Sequence, residues 1–107
     1  TQAALAHFDG VVLNAVRETQ TRLAQYSALL DRRDALADAE RSAKESADQT
    51  HLRYQVGRES FLADLQATRT YTDVRAQLAA ANTQVALGQI GVFLALGGGW
   101  QDAAAKP

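Results

Sequence analysis

The sequence predicts an all-α chain, a long antiparallel helical hairpin with coiled-coil-like packing. Three observations predict it. The strong helix formers Ala, Leu, Gln, Glu and Arg dominate, and the one proline stands at the last position. Apolar residues recur at three- and four-residue steps over several heptads in both halves. One strong break, Tyr54-Gln55-Val56-Gly57-Arg58-Glu59-Ser60, separates those halves.

Residues 1–10 read as a lead-in, with Asp9-Gly10 as a start or irregularity where Asp9 caps the helix after it. Residues 11–54 form the first long helix. Val16, Leu23, Leu30 and Ala37 repeat every seven residues, flanked by Leu29, Leu36 and Ala43, with Tyr26 between members of the first set. Arg17, Glu18, Arg32, Asp34, Asp38, Arg41, Glu45 and Asp48 occupy the opposite, solvated face, where Asp38/Arg41 and Arg41/Glu45 are favourable pairs. After Leu36 the stripe thins to Ala37, Ala39, Ala43 and Ala47. Small side chains bury little area but permit a close crossing, so the approach to the break is predicted to be a narrow seam.

Residues 55–60 form the turn. Gly57 suits the left-handed residue that ends a helix, Val56 supplies local packing, and Ser60 caps the returning helix with Glu59 near its positive end. Residues 61–96 form the return helix, with a seam of Phe61, Leu62, Leu65, Tyr71, Val74, Leu78, Ala81, Val85 and Val92. Around Gly88 and Gly91 the helix propensity weakens. There Leu87, Ile90, Val92, Phe93, Leu94 and Leu96 spread beyond one stripe, which predicts neighbours on more than one side. Gly97-Gly98-Gly99 stops the helix, and residues 97–107 read as a flexible tail.

Composition narrows the function. A net charge of −1 with both signs interspersed argues against a nucleic-acid module, which needs a basic stripe. Without cysteine there is no disulfide framework and no thiolate ligand or nucleophile. No signal peptide is visible, and no stretch reaches the roughly 18 uninterrupted apolar residues of a spanning helix, so no membrane anchor is expected within it. The chain starts without Met inside a helical pattern and reads as a piece of a longer protein. His7 and His51 lack a second ligand at metal-binding spacing. Asp31 and Asp34 fall on an exposed face without the apolar pocket that tunes an acid–base pair. No catalytic triad, phosphate loop or dinucleotide fingerprint occurs. The expectation is a non-enzymatic protein without metal or cofactor.

Several motifs in order carry a family resemblance. Arg53-Tyr54, Gly57, Ser60, Leu62, Leu65 and Arg69, with Leu94-Ala95-Leu96-Gly97-Gly98-Gly99-Trp100 after them, resemble the C-terminal part of the TolC-like outer-membrane efflux factors, in particular the NodT/OprM-type lipoproteins. Phe8-Asp9-Gly10, Val12-Leu13, Ala15-Val16 and Glu18 are similar to that family's passage from its second β-hairpin into a long helix.

The resemblance implies a trimeric outer-membrane channel continued by a periplasmic α-barrel, working with a periplasmic adaptor and an inner-membrane pump in an export system of Gram-negative type. The hairpin would then be part of that α-barrel wall. Val56, Gly57, Arg58 and Ser60 map to the adaptor-docking tip, and Tyr54, Glu59, Ala63 and Gln66 to the pore gate. The family's gate acid falls at Gln66, and in some members at Ala63, whereas the acid here is Asp64. One residue turns a helix by about 100°, so Asp64 does not inherit that direction, and Glu59 is expected to replace part of the charge. Alone, the hairpin leaves apolar flanks open and is expected to self-associate into a four-helix arrangement. The competing reading is a soluble coiled-coil scaffold or interaction module without a transport role.

Overall fold

The computed structural model describes residues 1–98. Two long helices make up nearly all of them: α1, Gln2–Gln55 with 54 residues, and α2, Phe61–Phe93 with 33. A five-residue π-helical turn, Leu94–Gly98, comes directly after α2. The chain is an all-α helical hairpin, and no strand occurs among the described residues. Gly99 and the tail beyond it, with the predicted end of the Gly97-Gly98-Gly99 stop, lie outside the described residues.

α1 runs through Asp9-Gly10 unbroken, so the start predicted there is displaced to Gln2. An interior glycine costs about 1 kcal/mol relative to alanine, too little to end a helix whose propagation is favourable on both sides. Its N-terminal turn closes through the Leu5 amide donating to the Thr1 carbonyl at 2.9 Å.

The chain divides into two compact units, Leu30–Gln84 and Thr1–Leu29 with Val85–Pro107. In the first, the residues withdrawn from solvent on α1 are Leu30, Arg33, Leu36, Ala37, Glu40, Ala43, Ala47 and Thr50, and on α2 Ala63, Asp64, Ala67, Tyr71, Val74, Leu78 and Ala81. Both sets follow a heptad: 33, 40, 47 with 36, 43, 50, and 64, 71, 78 with 67, 74, 81. Leu36, Ala37, Ala43, Tyr71, Val74, Leu78 and Ala81 stand where the expected seam put them, and the difference is at the start of α2. Phe61, Leu62 and Leu65 are 53–63% exposed, and Asp64 and Ala67 take the seam in their place. Two of the polar seam positions meet each other: the Tyr71 hydroxyl donates to Glu40 Oε1 at 3.3 Å. The Arg75 guanidinium lies 5.5 Å from the centre of the Tyr71 ring, which it caps from the solvent side by a cation–π contact. The charges expected on the solvated face are exposed, with Asp38 paired to Arg41.

In the second unit, the close approach falls on glycine. A Cβ at Gly88 would stand 2.9 Å from Leu29 Cδ1 and 3.3 Å from Tyr26 Cδ2. Arg22, Gln25, Tyr26, Leu29, Leu87, Gly88, Gly91 and Val92 line a shallow cleft of about 100 Å³ here. Val16 and Leu23, expected in the seam, are 49% and 45% exposed, because this unit packs through Tyr26 and Leu29.

Little apolar surface is buried anywhere. Among the described residues the buried apolar side chains are Ala47, Ala81 and Val85, and no large side chain is fully buried. Among the described residues eighteen large apolar side chains are exposed, from Leu5 and Phe8 through Phe61 and Leu62 to Leu94 and Leu96. No charged side chain occurs between Arg75 and Asp102. The segment Phe61–Gly97 is thus long and apolar enough to cross a membrane by length and composition, with a mean hydropathy of 1.3 in an 18-residue window. The sequence criterion of an unbroken apolar run passes over it because Asn82, Thr83, Gln84 and Gln89 interrupt the run. Length and composition do not separate a helix that crosses a bilayer from one that packs on other chains.

The two glycine environments predict opposite outcomes. Gly10→Ala, with nothing within 4 Å of the new Cβ, should stabilise α1 by about 0.5–1 kcal/mol. Gly88→Val forces Leu29 and Tyr26 apart and should cost about 1–3 kcal/mol. Urea denaturation of both variants, monitored by circular dichroism, checks the pair.

Candidate functional site

The best-defined local structure is the reversal between α1 and α2. Gly57 takes φ +77°, the single positive φ among the described residues. Its amide donates to the Tyr54 carbonyl at 3.0 Å, and the Arg58 amide donates to the Arg53 carbonyl at 2.7 Å. Together these two bonds form the Schellman closure, which satisfies carbonyls that the last helical turn would otherwise leave unpaired. Arg53 in that turn also places a cation at the negative helix end.

α2 begins as firmly as α1 ends. Ser60 Oγ accepts from the Ala63 amide at 3.1 Å, the contact of an N-cap, and the Ser60 carbonyl accepts the first helical bond, from Asp64 N at 3.2 Å. In a capping box, a Glu three residues after the cap would bond back to the cap's own amide. Ala63 occupies that place here, and the Ser60 amide instead donates to Glu59 Oε1 at 3.3 Å.

Behind the reversal the seam has two unlike flanks. Along one runs a groove of about 310 Å³ lined by Ala43, Ser46, Thr50, Glu59, Ala63, Gln66, Ala67 and Thr70. Alanines form its floor, while hydroxyls, an amide and one carboxylate supply its polar atoms. Thr50 takes no part in bridging the helices, since its hydroxyl donates to the Ser46 carbonyl at 2.8 Å.

On the other flank His51 Nδ1 lies 3.1 Å from Asp64 Oδ2, and Gln55 Nε2 lies 3.1 Å from His51 Nε2. Asp64 is 8% exposed, and its Oδ1 has no hydrogen-bond partner among the described residues. Tyr54 joins this flank. Its ring centre is 6.4 Å from that of His51 and 5.7 Å from that of Phe61.

Of the four gate candidates, the structure brings Glu59, Ala63 and Gln66 into one groove, and Tyr54 is not among the residues lining it. The tip candidates Val56, Gly57, Arg58 and Ser60 are all exposed, Val56 at 69%. Leu52, Phe61 and Leu62 add further exposed apolar surface beside them. The His51–Asp64 contact is the feature that sequence reading passed over. The signal for it was present, because Asp64 stands one heptad before the seam residue Tyr71.

No group of three or more His, Cys, Asp or Glu that could hold a metal ion occurs among the described residues. What the arrangement offers is recognition surface: a rigid capped reversal, a polar groove and an apolar rim.

Residues 1–98 match the family model described as Outer membrane efflux protein. The chain belongs to the outer membrane efflux protein family. Its members are outer-membrane channel components that work within tripartite efflux systems. No curated protein and no solved structure matched the chain. For this efflux-family hairpin the family is one of transport and not of catalysis, and the reversal and its two flanks are the parts with defined local chemistry.

The two caps predict separable losses. Gly57→Ala forces a Cβ into the left-handed region at a cost of about 1–2 kcal/mol. Ser60→Ala removes the N-cap and should cost about 1 kcal/mol. Thermal and urea unfolding of the two variants and of their combination checks both values.

Proposed function

We propose that this hairpin forms part of the α-barrel wall of an outer-membrane efflux channel of the NodT/OprM type, with its reversal at the periplasmic end. In this reading three copies of the full-length protein surround one duct. α1 runs from the membrane side toward the periplasmic end, and α2 returns.

The observation that carries the reading is the sidedness at the reversal. Glu59, Ala63 and Gln66 share one groove, while Val56, Gly57, Arg58 and Ser60 stand exposed at the turn. A gate needs side chains converging on one face, and a docking tip needs a rigid, uncovered loop. Glu59, Ala63 and Gln66 are accordingly the gate residues of this proposal, while Tyr54, the fourth gate candidate, lies on the other flank against Phe61. Val56, Gly57, Arg58 and Ser60 meet the periplasmic adaptor protein, which links the duct to an inner-membrane pump. The exposed apolar residues of both helices are then the surfaces that adjoining helices cover. Separated from those neighbours, the hairpin self-associates.

At the gate, Gln66 contributes amides where a carboxylate would attract cations, which leaves Glu59 as the carboxylate of the groove. Glu59→Gln in the full-length channel should therefore weaken block by multivalent cations, and Gln66→Asp should strengthen it. Single-channel conductance in planar bilayers reads both. Conductance and block unchanged in Glu59→Gln would remove Glu59 from the gate.

A further inference from the structure

The acid at position 64 faces away from the groove and into the seam, where it meets a histidine across the reversal. Ser60 caps α2, so Asp64 belongs to the first turn of that helix, and His51 lies in the penultimate turn of α1. Their contact at 3.1 Å therefore joins the end of one helix to the start of the next and encloses the Gly57 turn.

The two partners differ in environment. Asp64 is 8% exposed, and an aspartate is almost never so buried unless it is paired. Its Oδ2 faces His51, while Oδ1 is buried without a partner among the described residues. The His51 side chain is 54% exposed, so its ring is in contact with water. Histidine is also the side chain whose ordinary titration falls between pH 5 and 8.

The third member, Gln55, accommodates both charge states. Neutral His51 meets both neighbours only as the Nδ1–H tautomer. Nδ1–H donates to Asp64 Oδ2, and Nε2 accepts from the Gln55 amide nitrogen. When Nε2 gains a proton it becomes a donor, and rotating the Gln55 amide by half a turn presents Oε1 as the acceptor. No backbone movement is needed.

We propose that His51 and Asp64 form a proton-responsive clamp that positions the reversal, with Gln55 as the amide that adapts to the protonation state of His51. Neutral His51 gives the Asp64 carboxylate a hydrogen bond from an uncharged donor. Protonated His51 turns that bond into an ion pair, against a carboxylate whose second oxygen has no other donor among the described residues. The clamp is tighter with His51 protonated and Asp64 ionised than with His51 neutral. The titratable groups around His51 are Asp64 on α2 and, on α1, Tyr54, whose ring centre is 6.4 Å away, with Asp48 one turn earlier. His51 and Asp64 are positioning residues: they set the geometry of the turn and of the groove on the other flank. The clamp itself is independent of the channel reading, and only its consequence for a gate rests on that reading.

Two measurements on the whole ¹⁵N-labelled chain test it without any transport assay. Long-range imidazole spectra should show His51 as the Nδ1–H tautomer at pH 8, with exposed His7, whose ring makes no hydrogen bond among the described residues, as the internal control. Amide hydrogen exchange in residues 50–64, corrected for intrinsic rates, should slow about threefold between pH 8 and pH 5.5, the size suited to a half-exposed pair. That response should vanish in His51→Gln and in the near-isosteric Asp64→Asn. It should grow in Gln55→Glu, which keeps the pair and adds a better acceptor for Nε2–H. An Nε2–H tautomer at His51, or an undiminished pH response in Asp64→Asn, overturns the proposal. The tautomer and the Gln55→Glu response decide it even where the other variants fail to fold.

Discussion

The close approach of α1 and α2 along small side chains is the constraint on which the rest depends. Ala43, Ala47, Ala63, Ala67 and Ala81 occupy the seam of one unit, and Gly88 sits under Leu29 and Tyr26 in the other. Small residues bring the helix backbones near one another, but each removes little apolar area from water. The large apolar side chains of Phe61, Leu62, Leu65, Leu87 and Ile90 lie outside the seams, while Leu36, Val74 and Leu78 enter one. A hairpin built this way has its recognition surface on the outside, and its own core is slight.

A narrow seam with few large side chains specifies its register weakly, because one alanine fits against another at many offsets. The reversal supplies what the seam lacks. The Schellman closure at Gly57 and the Ser60 cap fix where each helix ends, and the contacts of His51 with Asp64 and of Glu40 with Tyr71 pin the pairing at two levels of the same unit. Polar contacts inside a seam are costly to leave unmade, which makes them better at excluding wrong registers than at adding stability. The same contacts separate the groove with Glu59 and Gln66 from the flank with His51 and Tyr54.

Much of the fold was legible because helices, caps and breaks are local. Gly57 and Ser60 announce the turn by residue type alone, and the structure uses each as its chemistry suggests. The extent of the seam was harder to read. Leu29, Leu30, Leu36, Ala37 and Ala43 are withdrawn from solvent as expected, whereas Val16 and Leu23 of the same stripe stay half exposed, and periodicity does not say how far along a helix a stripe stays covered. At the start of α2, apolarity favoured Phe61, Leu62 and Leu65 over an aspartate, while the heptad of Tyr71, Leu78, Val85 and Val92 led back to Asp64. Period was the better guide there, and hydrophobicity misled because those apolar side chains stand exposed on this chain. The convergence of Glu59, Ala63 and Gln66 on one groove comes from helical spacing once Ser60 fixes the start of α2, whereas the place of Tyr54 depends on ring contacts that no spacing reveals.

A hairpin that leaves this much apolar surface exposed should not behave as a self-sufficient monomer. Sedimentation equilibrium over a hundredfold range of protein concentration, paired with thermal unfolding at each concentration, tests this directly. Reversible association with an unfolding midpoint that rises with concentration is the predicted result. A monomer at every concentration, unfolding cooperatively at one fixed temperature, would contradict it.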